Sequence, residues 1–69
     1  MRAKLKEARV AAGFTQEQIA KKLEISVRYY RMIETGERNG DFDIWDTLED
    51  IIGIHQRILR EVTPHEIVK

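Results

Sequence analysis

The sequence predicts an all-α domain built from five short helices. Apolar residues recur three and four positions apart along most of the chain, and no stretch alternates apolar and polar residues as a half-buried strand would. With 69 residues and no cysteine, the chain is near the lower size at which an apolar core alone can hold a fold. We therefore expect residues 1–69 to form a single domain.

Glycine and a capping box delimit the first two predicted helices. The first helix spans about residues 2–12, and Gly13 is a natural C-terminal stop. The second spans about residues 16–23. It begins with a capping box, because the Thr15 hydroxyl can accept from the Gln18 amide while the Gln18 side chain reaches back. The residues expected to point inward are Leu5, Ala8, Ala12, Ile19, Ala20 and Leu23.

The third and fourth helices each follow a residue suited to capping. Ser26 is a good N-cap for a helix over about 27–35, which ends at Gly36. After a polar loop, Asp41 can cap a fourth helix over about 42–52. The residues expected in the core from these two helices are Tyr30, Ile33, Phe42, Trp45, Leu48 and Ile52.

A fifth helix is predicted over about residues 55–62, and residues 55–69 form a candidate dimerisation tail. The apolar residues at this end of the chain exceed what a small monomer easily buries, which favours a surface between two copies. Leu59→Asp is therefore expected to weaken self-association. The apolar residues in question are Ile54, Ile58, Leu59, Val62, Ile67 and Val68.

Helices two and three together have the helix-turn-helix pattern. A capped helix of about two turns is followed by a short turn with a buried aliphatic residue, Ile25, and then by a second short helix. In that geometry the second helix lies in the DNA major groove, and its outward residues meet base edges. An arginine there can donate two hydrogen bonds to guanine O6 and N7. The residues predicted to face away from the core and contact bases are Val27, Arg28, Arg31 and Met32.

Three of these four positions also have a simpler interpretation. Arg28 and Arg31 are compatible with an ordinary solvated helix face, and Met32 with filling a gap in the core. Gln16 and Tyr29 lie beside helix N-termini, where backbone amides can hold a phosphate. Gln16 is also a good first-turn residue, and Tyr29 can be an amphipathic surface residue.

A set of residues spread over positions 5–54 resembles the phage repressor/Cro-like family, also called the XRE family. The resemblance implies a lambda-repressor-like helix-turn-helix domain that binds a pseudo-palindromic DNA operator as a homodimer. It implies phosphate binding by Gln16, base reading by Val27, Arg28 and Met32, and positions near the sugar-phosphate backbone for Arg38 and Asn39. It also suggests a structural ion pair between Arg9 and Glu34. The matching residues are Leu5, Arg9, Gly13, Phe14, Thr15, Gln16, Ile19, Ala20, Leu23, Ile25, Ser26, Tyr30, Ile33, Glu34, Gly36, Arg38, Asn39, Leu48, Gly53 and Ile54.

The sequence departs from that family pattern in three places. Glu24 stands where the turn usually has glycine, so a non-glycine residue is expected to adopt a positive φ. Gly40 replaces a common proline after Asn39. The segment that follows is acidic, whereas many relatives place basic residues there against phosphate. Its acidic residues are Asp41, Asp43, Asp46, Glu49 and Asp50.

Charge is distributed unevenly although the net charge is zero. Residues 1–38 carry nine Lys and Arg against five Asp and Glu, a net +4, and residues 39–69 carry three against seven, a net −4. Such a chain can present a cationic face to phosphate while its other half repels it. The helix-turn-helix pattern and the family resemblance make a sequence-specific DNA-binding regulator of the repressor type the main hypothesis, whereas the neutral net charge and the acidic second half favour an alternative a little. The alternative is a protein–protein module of the same fold, such as an antitoxin-like or anti-repressor subunit.

Composition argues against several other classes of protein. An enzyme is not expected, because the one serine is at a helix cap and there is neither a cysteine nucleophile nor a glycine-rich phosphate loop. No cofactor, metal or small-molecule ligand is expected, because His55 and His65 are too few and too scattered for a metal cage. No apolar run approaches the roughly 20 residues of a membrane helix, and the absence of cysteine suits a cytoplasmic location.

Overall fold

The computed structural model describes residues 1–62, and within them the chain forms helices and no strand. This confirms the all-α prediction. Four of the five observed helices begin and end within one residue of the predicted bounds, and the fifth is shorter. The helices are α1 (Ala3–Ala11), α2 (Gln16–Leu23), α3 (Val27–Thr35), α4 (Phe42–Ile52) and α5 (Gln56–Leu59).

The predicted N-caps of the three middle helices are present. Thr15 Oγ1 accepts from the Gln18 amide at 3.1 Å and the Gln18 side chain accepts from the Thr15 amide at 2.9 Å, which completes the capping box. Ser26 Oγ accepts from the amide of Tyr29 at 3.0 Å. Asp41 Oδ1 accepts from the amide three residues later, also at 3.0 Å. These bonds satisfy amides that a helix start otherwise leaves without partners.

Helices α1 to α4 pack around a single hydrophobic core. Helix α5 completes this core by packing against α1 and α4. Trp45 and Tyr30 are the largest side chains in it and are 2% and 0% exposed. Among residues 1–62, no helix is long and apolar enough to cross a membrane. The buried apolar residues are Leu5, Ala8, Ile19, Ala20, Tyr30, Ile33, Ile44, Trp45, Leu48 and Leu59.

The prediction that Phe42 belongs to the core is wrong, because its side chain is 77% exposed. The buried face of α4 is centred on Ile44, Trp45 and Leu48. At 100° per residue, Phe42 stands about 120° around the helix from Leu48. Phe42 lies three residues before Trp45, and this spacing suggested that the two share one buried face. The centre of the buried face instead lies on the side of Trp45 that is away from Phe42. Ala12, also expected to point inward, is exposed just beyond the end of α1.

The expectation that Leu59 lies on a dimer surface is also wrong, because Leu59 is 0% exposed. Helix α5 is a single turn, and it places Leu59 in the core cluster against α1 and α4. Ile58 and Val62 remain about half exposed. Ile67, Val68 and His65, which the sequence interpretation also considered, lie outside the described residues.

Arg2 is a structural residue that the sequence analysis counted only among the nine basic residues of positions 1–38. It is 4% exposed, and its guanidinium donates to the carbonyl of Ile33, to that of Arg38 at 2.9 Å and to that of Arg60 at 3.1 Å. It also lies over the Trp45 ring, with 5.2 Å between Cζ and the ring centroid. Arg2 therefore joins the N-terminus to the end of α3, the α3–α4 loop and the end of α5.

Candidate nucleic-acid interface

Helices α2 and α3 pack against each other through a turn of three residues, Glu24 to Ser26. Glu24 has φ 61° and ψ 40°, the left-handed conformation expected where glycine is usual. The amide of Ile25 donates to the carbonyl of Ala20 at 3.0 Å, and the Ile25 side chain packs half-buried against the core. The turn thus fixes the angle between the two helices, and Ser26 fixes where α3 begins.

The four predicted base-contact residues are not equally exposed. Arg28 and Arg31 are exposed, whereas Met32 is half-buried. Val27 was expected to face away from the core, but it is half-buried and packs against it. The reason is helical spacing, since Val27 lies three residues before the buried Tyr30 and shares part of its face.

Arg31 is linked to α2 by a hydrogen bond. Its Nε donates to Gln16 Oε1 at 3.1 Å, and its Nη2 lies 4.0 Å from the carboxylate of Glu17. The bond to Gln16 uses the Nε donor, so the two terminal nitrogens of the guanidinium keep donors for another acceptor. Arg28 makes no hydrogen bond or ion pair with the rest of residues 1–62. The two arginines of α3 therefore differ in how firmly they are held.

Gln16 continues this link into the core. Its Nε2 donates to Glu34 Oε1 at 3.0 Å, while its Oε1 accepts from Arg31. A carboxylate can only accept, so Glu34 dictates that the amide nitrogen of Gln16 points inward and its oxygen points towards Arg31. The Nε2 group has a second hydrogen, which a phosphate oxygen can accept.

Arg9 and Glu34 form a buried ion pair at the centre of the domain. Arg9 Nε donates to Glu34 Oε2 at 2.7 Å, and the two side chains are 9% and 4% exposed. The hydroxyl of Tyr30 donates to the same oxygen at 2.7 Å, and Arg9 Nη1 donates to the carbonyl of Phe14 at 2.8 Å. Among residues 1–62, no buried side-chain nitrogen or oxygen lacks a partner.

These contacts shift the protonation equilibria of the cluster. Burial raises the pKa of Glu34, but hydrogen bonds from Arg9, Tyr30 and Gln16 outweigh burial and hold that pKa below its usual value. The hydrogen bond to Glu34 raises the pKa of Arg9. Burial, with the hydrogen bond to Glu34, raises the pKa of the Tyr30 hydroxyl. The pair is therefore ionised and the phenol neutral at neutral pH.

The loop after α3 holds the other two predicted phosphate contacts, Arg38 and Asn39. Both side chains are exposed, but their backbone is fixed from beneath. Arg2 donates to the Arg38 carbonyl, and Trp45 Nε1 donates to the Asn39 carbonyl at 2.7 Å. Arg2 Nη2 also reaches Asn39 Oδ1 at 3.4 Å. Tyr29, the remaining candidate, is half-buried against the core.

An acidic surface adjoins this region along α4. Asp41 and Asp43 are exposed at its N-terminal end, where a carboxylate complements the helix dipole. Asp46 and Asp50 are exposed further along the helix. Among residues 1–62, no three His, Asp or Glu side chains are grouped so that they could hold a metal ion.

Comparison with known proteins places the region in context. Residues 5–59 match the sequence profile of the helix-turn-helix family. An uncharacterized HTH-type transcriptional regulator of Bacillus subtilis (strain 168), YqaF, is 38% identical over 61 residues, which cover 88% of this chain and 80% of that protein. No solved structure matches the chain with significance.

Proposed function

The chain belongs to the helix-turn-helix family, and we propose that it binds double-stranded DNA sequence-specifically as a cytoplasmic transcriptional regulator of the repressor type. The observation that carries the proposal is the Gln16–Arg31 hydrogen bond of 3.1 Å between α2 and α3. It holds an exposed arginine on the outer face of α3 with its terminal nitrogens available. Repression requires only that the protein occupies its operator.

In this proposal α3 lies in the major groove and reads base edges. Arg31 donates from its two terminal nitrogens to guanine O6 and N7, a contact worth about 1–3 kcal/mol of discrimination. Because Gln16 already restrains Arg31, less side-chain entropy is lost on binding. Arg28 is unrestrained and can adjust to a second base pair. Met32 and the exposed part of Val27 supply apolar contact with thymine methyl groups.

Phosphate contacts then set the register of α3 on the duplex. Gln16 offers its second amide hydrogen at the start of α2, where backbone amides also favour an anion. The hydroxyl of Tyr29 and the side chains of Arg38 and Asn39 supply the other contacts. The acidic surface of α4 is repelled by phosphate, which favours a single orientation on DNA.

We further propose that the protein binds as a homodimer. A single helix of nine residues, such as α3, spans too few base pairs to select one site in a genome. Two copies related by a two-fold axis read two half-sites about one helical turn apart, roughly 34–36 Å.

The experiment is selection of binding sites from random-sequence duplexes at low salt. We expect a pseudo-palindromic site whose binding weakens steeply as salt is raised. Arg31→Ala and Arg28→Ala should each lose about 5- to 150-fold in preference for the selected site, the range that corresponds to one base contact. Arg57→Ala is the matched control, because it removes an exposed arginine from α5 and should leave the preference unchanged.

Two outcomes contradict the proposal. If no sequence is enriched at low salt, the domain does not read DNA, and its surface serves a protein partner instead. If a site is enriched but Arg28→Ala and Arg31→Ala bind it as the parent does, α3 is not the element that reads bases.

A further inference from the structure

Two neighbouring residues at the start of α2 hold one edge of the Arg31 guanidinium. Arg31 Nε donates to Gln16 Oε1 at 3.1 Å, and Arg31 Nη2 lies 4.0 Å from Glu17 Oε2. Nε and Nη2 form one edge of this planar group, and its donors have fixed directions. The second edge, which joins Nη1 to Nη2, is therefore left for another acceptor. The proposed function gives Gln16 a part in this arrangement but gives none to Glu17.

We propose that Glu17 is a positioning residue that improves the discrimination of Arg31 between the operator and other DNA. The inference rests on the proposed function, because it requires α3 to read bases. In the operator complex, the free edge of Arg31 contacts guanine while the edge beside Glu17 stays where it is. In a complex with another sequence, Arg31 turns to a phosphate and leaves Glu17. The ion pair is kept only in the operator complex, which it therefore stabilises relative to the other.

The difference between phosphate and base contacts supports this assignment. Binding to DNA of arbitrary sequence is almost wholly electrostatic, because it depends on cations that neutralise phosphates. A phosphate that attracts Arg31 also repels a carboxylate 4.0 Å from that cation. Guanine carries no net charge, and its recognition depends on the direction of two N–H bonds. Glu17 therefore weakens a phosphate contact of Arg31 more than it weakens a guanine contact.

The exposure of the pair sets the size of the effect. The side chains of Arg31 and Glu17 are 54% and 70% exposed, and ion pairs in such positions change an equilibrium by about 1.4- to 5-fold. Glu17 also lies in the first turn of α2, where an acid complements the helix dipole. That structural effect stabilises the fold and changes binding to every duplex by the same factor. The ratio of two affinities separates it from positioning of Arg31.

The test measures dissociation constants by fluorescence anisotropy for the selected site and for a scrambled duplex of the same base composition. Glu17→Gln should bind the scrambled duplex more tightly and lose about 1.4- to 5-fold in the ratio of the two affinities. On the scrambled duplex, its salt dependence should steepen by about 1 in logarithmic slope, because Arg31 is free to neutralise a phosphate. Glu7→Gln is the matched control, because it removes an exposed acid from α1 and should leave the ratio unchanged.

A cycle of double substitutions tests whether Glu17 acts through Arg31. In the Arg31→Ala background, Glu17→Gln should leave the ratio of affinities unchanged, because no guanidinium remains to be oriented. In the Arg28→Ala background it should lower the ratio by the same factor as in the parent, because Arg28 makes no ion pair within residues 1–62. Thermal unfolding without DNA checks that each variant is folded.

Two results overturn the inference. If Glu17→Gln leaves the ratio unchanged or raises it, the carboxylate does not favour the operator over other DNA. If the ratio falls equally with and without Arg31, Glu17 does not act through that residue. Failure of the proposed function is recognised separately, because then no site is enriched, or Arg28→Ala and Arg31→Ala bind the enriched site as the parent does.

Discussion

Replacing Glu34 by glutamine is the sharpest test of how the domain holds its α3 helix. The substitution preserves shape but removes the charge that faces Arg9 across a bond of 2.7 Å. It also replaces one acceptor oxygen by a donor in a site where Arg9, Tyr30 and Gln16 all donate. The three donors then share a single oxygen unless Tyr30 or Gln16 reverses its hydrogen bond, and the Arg9 charge loses its counter-charge in either case.

The expected loss of stability follows from burial. The Arg9 and Glu34 side chains are 9% and 4% exposed, and breaking a pair in such a site typically costs about 3–5 kcal/mol, because the remaining charge stays buried. A domain of this length has roughly 3–10 kcal/mol of stability in total. Urea unfolding monitored by circular dichroism should therefore show a midpoint for Glu34→Gln that is far below the parent value or below the accessible range.

The same substitution is expected to change how the unfolding free energy depends on pH. Because the pKa of Glu34 is lowered by folding, the unfolded chain binds the proton first as pH falls. The pair's contribution is thus complete above the unfolded pKa of about 4.3 and is lost as pH falls through the folded value. The unfolding free energy of the parent should fall more steeply below about pH 5 than that of Glu34→Gln.

The matched control is Glu37→Gln, which removes an exposed acid three residues further on. It should change stability by less than about 0.5 kcal/mol. A loss below about 1 kcal/mol in Glu34→Gln would refute the reasoning, because it would mean that Arg9 finds water or another acceptor. If the unfolding free energies of parent and Glu34→Gln fall equally steeply below about pH 5, the pKa argument is refuted separately.

Two further substitutions test the turn and the N-terminus. Glu24→Gly should raise the free energy of unfolding by up to about 1 kcal/mol in urea, because glycine adopts the positive φ of 61° without strain; an equal gain in Glu24→Ala would contradict this. Arg2→Lys should lower stability by about 1–3 kcal/mol, because an ammonium cannot reproduce the fork that reaches three backbone carbonyls. Thermal unfolding of Arg57→Lys, an exposed exchange of the same kind, is its control, and equal effects would count against a special role for Arg2.

Local signals in the sequence were sufficient for the first four helices and their ends. Thr15, Ser26 and Asp41 act on amides three residues away, so their capping role is encoded in neighbouring residues alone. The positive φ of Glu24 was expected from the resemblance to a family whose turn usually has glycine at this place. These features depend on short-range sterics and hydrogen bonds, which do not change with the tertiary arrangement.

Features that depend on contacts between distant segments were not predictable in the same way. Phe42 was misplaced because the buried face of α4 is set by where α2 and α5 pack, and not by the spacing within α4 alone. Leu59 was assigned to an interface because nothing local distinguishes a core leucine from an exposed one. The role of Arg2 was missed because its acceptors are backbone carbonyls more than 30 residues away. Every residue has such a carbonyl, so residue types do not reveal which ones accept from Arg2.

The core and the candidate DNA-binding face are not independent in this domain, because one chain of hydrogen bonds passes from Arg9 through Glu34 and Gln16 to Arg31. Each member constrains the next: the carboxylate orients the Gln16 amide, and the amide oxygen holds Nε of Arg31. A substitution at Gln16 therefore changes the presentation of Arg31 as well as any phosphate contact of its own. Arg28 takes no part in this series of hydrogen bonds, so it can be exchanged with little effect on the core. A change at Arg31 removes the hydrogen bond to the Gln16 oxygen and so the restraint on both side chains, whereas a change at Arg28 removes no hydrogen bond within residues 1–62.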